Sequence, residues 1–206
     1  FYDWANSAFA TTVIAGFFPI FFKSFWANSL SDSESTALLG VANSLSGFFI
    51  LIFAPFLGAL ADITFRKKYM LVFFMLIGAG STASFFFINE GYWMIAVITY
   101  ILASIGFSGG NIFYDSLLPI VAERNKLDYV SSFGYGLGYL GGGLLFLINV
   151  LMYLYPNWFG IPDATTAVRI SFVTVAVWWA IFTIPIILYV PENKNHNHIY
   201  HLQVYL

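Results

Sequence analysis

Cysteine is absent from the chain, which excludes disulfides and thiolate metal sites while leaving the compartment open. Charge is almost as scarce. Asp, Glu, Lys and Arg make up 9% of the 206 residues, where a soluble domain carries about 25%. So few charges cannot clothe a water-facing surface. The net charge of −2 supplies no basic field, so nucleic acid is not an expected partner. No His-Glu-x-x-His motif occurs and no acid pair stands beside a credible nucleophile, so no enzyme, cofactor or metal is expected. The first residue is Phe rather than Met and apolar sequence begins at once, so a truncated N-terminus is the expectation. A cleaved signal peptide would need a basic leading region, which this stretch lacks.

What is present is mostly hydrocarbon: 60% of residues are hydrophobic and 21% aromatic. A helix needs about 20 apolar residues to cross a bilayer. Six stretches qualify, near Trp4–Trp26, Ala37–Ala61, Tyr69–Ile88, Tyr92–Leu117, Ser132–Leu154 and Ala167–Val190. The sequence therefore predicts an all-α polytopic bundle of six transmembrane helices. Its short polar connections should make consecutive helices antiparallel neighbours. Arg66, Lys67, Lys68, Arg124, Lys126 and Lys194 fall in alternate connections, with Lys23 and Arg169 on the other side. The positive-inside rule then places both termini and the 2–3 and 4–5 connections in the cytoplasm. Trp26, Trp93 and Trp158 sit near the opposite ends as interfacial anchors. Pro19, Pro55 and Pro185 lie within spans, as kinks or as tolerated prolines.

Polar residues inside such spans are costly and usually face a bundle interior or a solute path. Asp3, Ser7 and Thr11, flanked by Asn6, form a stripe on the first span. Ser104, Ser108, Asn111 and Asp115 are spaced four, three and four apart and form another on the fourth. Two stripes suggest a shared cavity holding solute or coupling groups. The other reading is that Asp3 and Asp115 are wetted acids at helix ends; Asn111 lies deeper, where headgroup water explains it less well. If protons are coupled, Asp3 and Asp115 are the two acids that face the stripes, and burial would favour the protonated carboxyl.

The segment Gly58-Ala-Leu-Ala-Asp62-Ile-Thr-Phe-Arg66-Lys67-Lys68 puts small residues, an acid and a basic run in order. Gly58, Ala59 and Ala61 should let another helix pack close. A plain basic connection is the simpler reading, but the ordered run resembles the signature 2–3 loop of the major facilitator superfamily. That resemblance implies a conformational-switch role for Gly58, Asp62, Arg66, Lys67 and Lys68. In span five, Gly134, Gly138 and Gly142 are four apart and share one face suited to close packing. The run also resembles the superfamily's fifth-span signature associated with exchangers. Tyr139 stands where that signature has proline, so close packing is the preferred reading.

Tyr2-Asp-Trp-Ala-Asn-Ser-Ala-Phe9, Asn111-Ile-Phe-Tyr-Asp-Ser-Leu-Leu-Pro119, Ser131 to Gly143, and Arg169-Ile-Ser-Phe172 with Trp178-Trp179 together resemble one branch of the superfamily. That branch is the vacuole-effluxer-like permeases, grouped with the autophagy-related vacuolar amino-acid exporter. The resemblance implies secondary active transport by alternating access, with amino acids as the substrate class. It also implies two six-span halves, of which residues 1–190 resemble the first. A lone half would be unstable, pair with a copy of itself, or need a second half, failing which it would be a non-transporting fragment or partner subunit. Expected partners are the lipid bilayer, a small-molecule solute and protons. The location would be the cell membrane of a bacterium or the vacuolar membrane of a fungus. Residues 191–206 are read as a cytoplasmic tail, truncated or aberrant. His196, His198 and His201 are read there as solvated side chains rather than metal ligands.

Overall fold

The computed structural model describes residues 1–64 and 66–191, without the side chains of Asp62 and Thr64. Among the described residues the chain is helical and has no strand. Six helices are long and apolar enough to cross a membrane. They are α1 (Tyr2–Trp26), α2 (Asp32–Thr64), α3 (Lys67–Ser84, continued by a 3-10 turn at Phe85–Phe87), α4 (Trp93–Val121), α5 (Leu127–Leu154) and α6 (Ala164–Tyr189). The protein is a multi-pass membrane bundle. The expected tail, with its three histidines, lies outside the described residues.

Several helices outrun their apolar stretches, because the polar residues at their ends are helical too. α2 starts at Asp32 rather than Ala37, where Ser31 and Glu34 form a capping box. The Ser31 backbone N–H donates to Glu34 Oε2 at 2.9 Å, and the Glu34 N–H donates to Ser31 Oγ at 3.3 Å. α6 starts at Ala164 because Asp163 caps it, accepting the Thr166 backbone N–H at 2.7 Å. α4 continues through Pro119 to Val121. α2 runs on to Thr64 and α3 begins at Lys67, each beyond the expected bounds at Ala61 and Tyr69.

α1 departs from regular α geometry. Its turns widen to π-helix at Phe9–Phe17 and again at Phe22–Trp26, on either side of the segment holding Pro19. Proline lacks an N–H and crowds the carbonyl four residues back, so a wider turn relieves what an α-turn cannot. Isolated π segments are frequent at functional sites.

The expectation that consecutive helices are neighbours holds for only some pairs. α3 packs chiefly on α4 and α6, α1 on α5 and α6, and α2 on α4, while α2–α3 and α4–α5 scarcely touch. Short connections join helix ends; small residues decide which faces meet. Lipid is as apolar as leucine, so close van der Waals packing, not water exclusion, holds such helices together. α3 and α4 cross at Gly78 and Gly106, where a Cβ on Gly106 would come within 2.5 Å of the Gly78 Cα. Trp179 of α6 lies over Gly78 and contacts Phe9 at 5.7 Å between ring centroids.

At the end of the bundle away from Arg66–Lys68, buried rings of Phe18, Phe22, Trp26, Phe85 and Phe172 tie α1, α3 and α6 together. Tyr100 of α4 stacks on Phe18 at 4.2 Å and donates its hydroxyl to Asn43 Oδ1 of α2 at 2.8 Å. Trp26 Nε1 donates to Ile88 O at 3.2 Å. Arg169 donates through Nε to Phe86 O at 2.9 Å, with its guanidinium 5.2 Å from the Phe86 ring. At the opposite end Lys68 Nζ donates to Ile187 O and Val190 O, at 3.1 and 3.0 Å. A cation there complements the negative C-terminal end of the α6 dipole.

Candidate functional site

A cavity of about 300 Å³ opens between α1, α4 and α5, and it brings polar groups of α1 and α4 together. α1 contributes Asp3, Asn6, Ser7 and Thr11, with Ala10 between them. The spacing of three and four keeps these side chains on one face of a helix. α4 brings Phe107, Asn111, Tyr114 and Asp115. α5 adds Tyr135 and Tyr139, one turn apart.

The two long stripes are cross-linked inside the cavity. Asn6 Nδ2 donates to Asn111 Oδ1, joining α1 to α4. Tyr114 donates its hydroxyl to Asp3 Oδ2 at 2.6 Å, a length typical of a charge-assisted O–H···O bond. Asp3 and Asn6 are buried, at 8% and 3% exposure, whereas Asp115 faces the open side. Thr11 Oγ1 lies 3.0 Å from Ser7 O and 3.1 Å from Gly142 O, so its one proton bridges α1 to α5 or closes a local turn. No Lys, Arg or His lines this cavity among the described residues.

The glycine face of α5 sets the distance to α1. A Cβ on Gly138 would stand 2.6 Å from Ser7 Oγ, and one on Gly142 would stand 2.8 Å from Ser7 O. At Gly134 it would meet Asp3 Oδ2 at 2.6 Å, and at Gly141 the Trp4 ring at 2.5 Å. Trp178 Nε1 donates to Trp4 O at 3.0 Å, so α6 braces the same turn of α1 from behind.

Asp3, Asn6, Ser7, Thr11, Asn111 and Asp115 thus meet in one place. Ser108 does not line the cavity, although it shares a helix face with Asp115 two turns away. Ser108 also sits in Gly106-Phe-Ser-Gly-Gly110, which fits the Gly-x-Ser-x-Gly spacing of a hydrolase elbow. That chemistry needs a strand-to-helix turn and a histidine partner. Here the run passes straight through α4, and the described residues contain no histidine. At the 2–3 connection, Gly58 has open space where a Cβ would point, Ala59 is exposed, and only Ala61 is buried. Among the described residues no helix packs closely on Gly58. Arg66 precedes α3, Lys67 and Lys68 open it, and the side chain of Asp62 lies outside the described residues.

Four rings escaped the sequence reading: Phe107, Tyr114, Tyr135 and Tyr139. The available signal was spacing, since Tyr135 and Tyr139 are four apart and flank the glycine face, while Tyr114 adjoins Asp115.

The family described as vacuole effluxer Atg22 like matches residues 31–205. An uncharacterized MFS-type transporter of Bacillus subtilis, YxiO, is 39% identical over 203 residues, covering 96% of this chain and 47% of its own length. Autophagy-related protein 22 of Eremothecium gossypii is 21% identical over 183 residues, covering 82% of this chain and 34% of its own. Autophagy-related protein 22 of Coccidioides immitis is 23% identical, covering 61% and 28%. The chain spans less than half the length of these relatives. No solved structure matches it.

Proposed function

The chain belongs to the vacuole effluxer Atg22-like family of major facilitator-type transporters, and from that premise we propose that it forms the N-terminal lobe of a secondary transporter working by alternating access. A second six-helix lobe, occupying length that the relatives have beyond the matched region, would close over the open side of the cavity. The solute site then lies between lobes, and rocking of one lobe against the other exposes it to each side in turn. Amino acids are the substrate class, in efflux or exchange, in a cell membrane or a vacuolar one. Protons are the coupling ion, carried by Asp115 with Asp3 beside it. Gly58, Asp62, Arg66, Lys67 and Lys68 act as the switch at the basic end of α2 and α3.

The observation that carries this reading is the cavity itself, where two carboxylates, two amides and several hydroxyls from α1, α4 and α5 share one space. Such groups are expensive in hydrocarbon and persist where they meet a solute or an ion. The test is counterflow of labelled amino acids in proteoliposomes holding the full-length protein. Flux should be saturable, and Asn111→Ala should lower it while leaving the amount of inserted protein unchanged. Asp115→Asn should abolish its pH response. Absence of flux for every amino acid, or full flux in Asn111→Ala, would overturn the reading.

A further inference from the structure

We propose that this wall of the cavity binds the positively charged nitrogen of its solute, an ammonium group held between the Asp3 and Asp115 carboxylates and the rings of Tyr135 and Tyr139. The inference rests on the transport reading and adds which end of the solute this lobe holds.

Two observations lead to it. Asp3 and Asp115 line one cavity, and among the described residues no cationic side chain lines it. The side-chain partner that the lobe gives Asp3 is a hydroxyl, donated by Tyr114. Two acids in a membrane-embedded cavity without a cation leave a site for positive charge to be filled from outside the lobe. A proton or metal ion would satisfy the carboxylates, but neither calls for aromatic faces.

The rings supply the second observation. Phe107 and Tyr114 on α4, and Tyr135 and Tyr139 on α5, all line the same space as the two acids. Aromatic faces attract organic cations through the ring quadrupole, most strongly where water is excluded. Tyr135 and Tyr139 are exposed on the lobe, at 60% and 75%, although they sit on a helix whose neighbouring face is held by glycines against α1. They are therefore free to swing over a bound group. Carboxylates and rings lining one space make a site for a primary or substituted amine. An anionic group would meet two like charges and no donor cation, so a solute carboxylate must be held elsewhere.

The experiment measures binding by titration calorimetry to the full-length protein in nanodiscs. The probes are leucine, its decarboxylated amine 3-methylbutylamine, and its deaminated acid 4-methylpentanoate. The amine and leucine should bind and the acid should not. Asp115→Asn and Tyr139→Leu should each weaken amine binding by about tenfold or more. Tyr139→Phe, which keeps the ring face, should bind nearly as the wild type does. Asp115 and Tyr139 are exposed on the lobe, so these changes leave its packing intact. Asp128→Asn removes an exposed acid of α5 outside the cavity and should change nothing. Binding of the acid in preference to the amine, no amine binding at millimolar concentration, or amine affinity unchanged in both Asp115→Asn and Tyr139→Leu overturns the inference. Amine binding without amino-acid flux in proteoliposomes would overturn the proposed activity and leave this inference standing. Flux that requires only the solute carboxylate would do the reverse.

Discussion

Gly142→Ala should loosen α5 from α1, and the size of the effect follows from distances. The new Cβ would stand 2.8 Å from Ser7 O and 2.9 Å from Ser7 C, both backbone atoms that no rotamer change can move. Ordinary contact begins near 3.4 Å, so the two helices must part by roughly 0.6 Å, and overpacking of this kind costs about 1–3 kcal/mol. Parting also stretches the 3.1 Å contact from Thr11 Oγ1 to Gly142 O, an interhelical bond of a kind worth about 0.6–1.7 kcal/mol. Alanine recovers about 1 kcal/mol over glycine through helix propensity. The net loss is about 1–3 kcal/mol. Gly143→Ala gains the same propensity but meets nothing within 4 Å, so it should be neutral or stabilising. Unfolding of the full-length protein in mixed micelles, titrated with SDS, compares the two directly. Equal midpoints for Gly142→Ala and Gly143→Ala would refute the argument that backbone contact sets the α1–α5 distance.

Three further outcomes are expected. Ser33→Cys, in the first turn of α2, should react with an impermeant thiol reagent added outside intact cells, whereas Asn125→Cys, between α4 and α5, should not; the absence of native cysteine from this segment leaves it a clean background, and the reverse pattern would invert the orientation. Arg169→Gln should lower stability by about 1.5–3 kcal/mol, the scale of a hydrogen bond to a charged group, because Phe86 O loses its donor; an unchanged SDS midpoint would remove that role. The Thr166 backbone N–H and then its hydroxyl hold the Asp163 carboxyl below its ordinary range. A depressed folded value means that the cap's contribution is fully present above the unfolded carboxyl range, near 4, and is lost as pH falls through the folded value. Amide exchange at Thr166 should therefore show no weakening of the cap from pH 7 to 5 and show it only in stronger acid; weakening near pH 6 would contradict this.

The six spans are legible in the sequence because length and hydropathy are direct requirements of the bilayer. The meeting of Asp3, Asn6, Ser7 and Thr11 with Asn111 and Asp115 is legible for a related reason: polar groups in hydrocarbon must find one another, and helical spacing says which share a face. The rings of Tyr114, Tyr135 and Tyr139 were not legible, since one residue in five is aromatic and ring identity carries no information about direction. Helix ends were misjudged where Ser31 and Asp163 cap turns that hydropathy reads as loop. Neighbour relations failed for another cause. Connection length constrains only helix ends, whereas Gly78, Gly106, Gly138 and Gly142 choose the faces. Gly58 is a glycine like those, but among the described residues nothing packs against it, and residue type alone cannot separate the two cases.

The hydrogen bonds that cross the cavity also impose an order on biosynthesis. Asn6 finds its partner 105 residues later in the chain, Asp3 finds its own 111 later, and Thr11 meets Gly142 131 residues later. A ribosome adding roughly 5–20 residues per second needs about 7–26 s to cover the longest of these separations. For that interval α1 carries polar groups whose partners have not yet been made. Until α4 and α5 arrive it must be sheltered by the insertion machinery, by water at the bilayer surface, or by α2, which carries Asn43 and Ser46 in its own span. The segment that gives the cavity four polar side chains thus waits for partners made more than a hundred residues later.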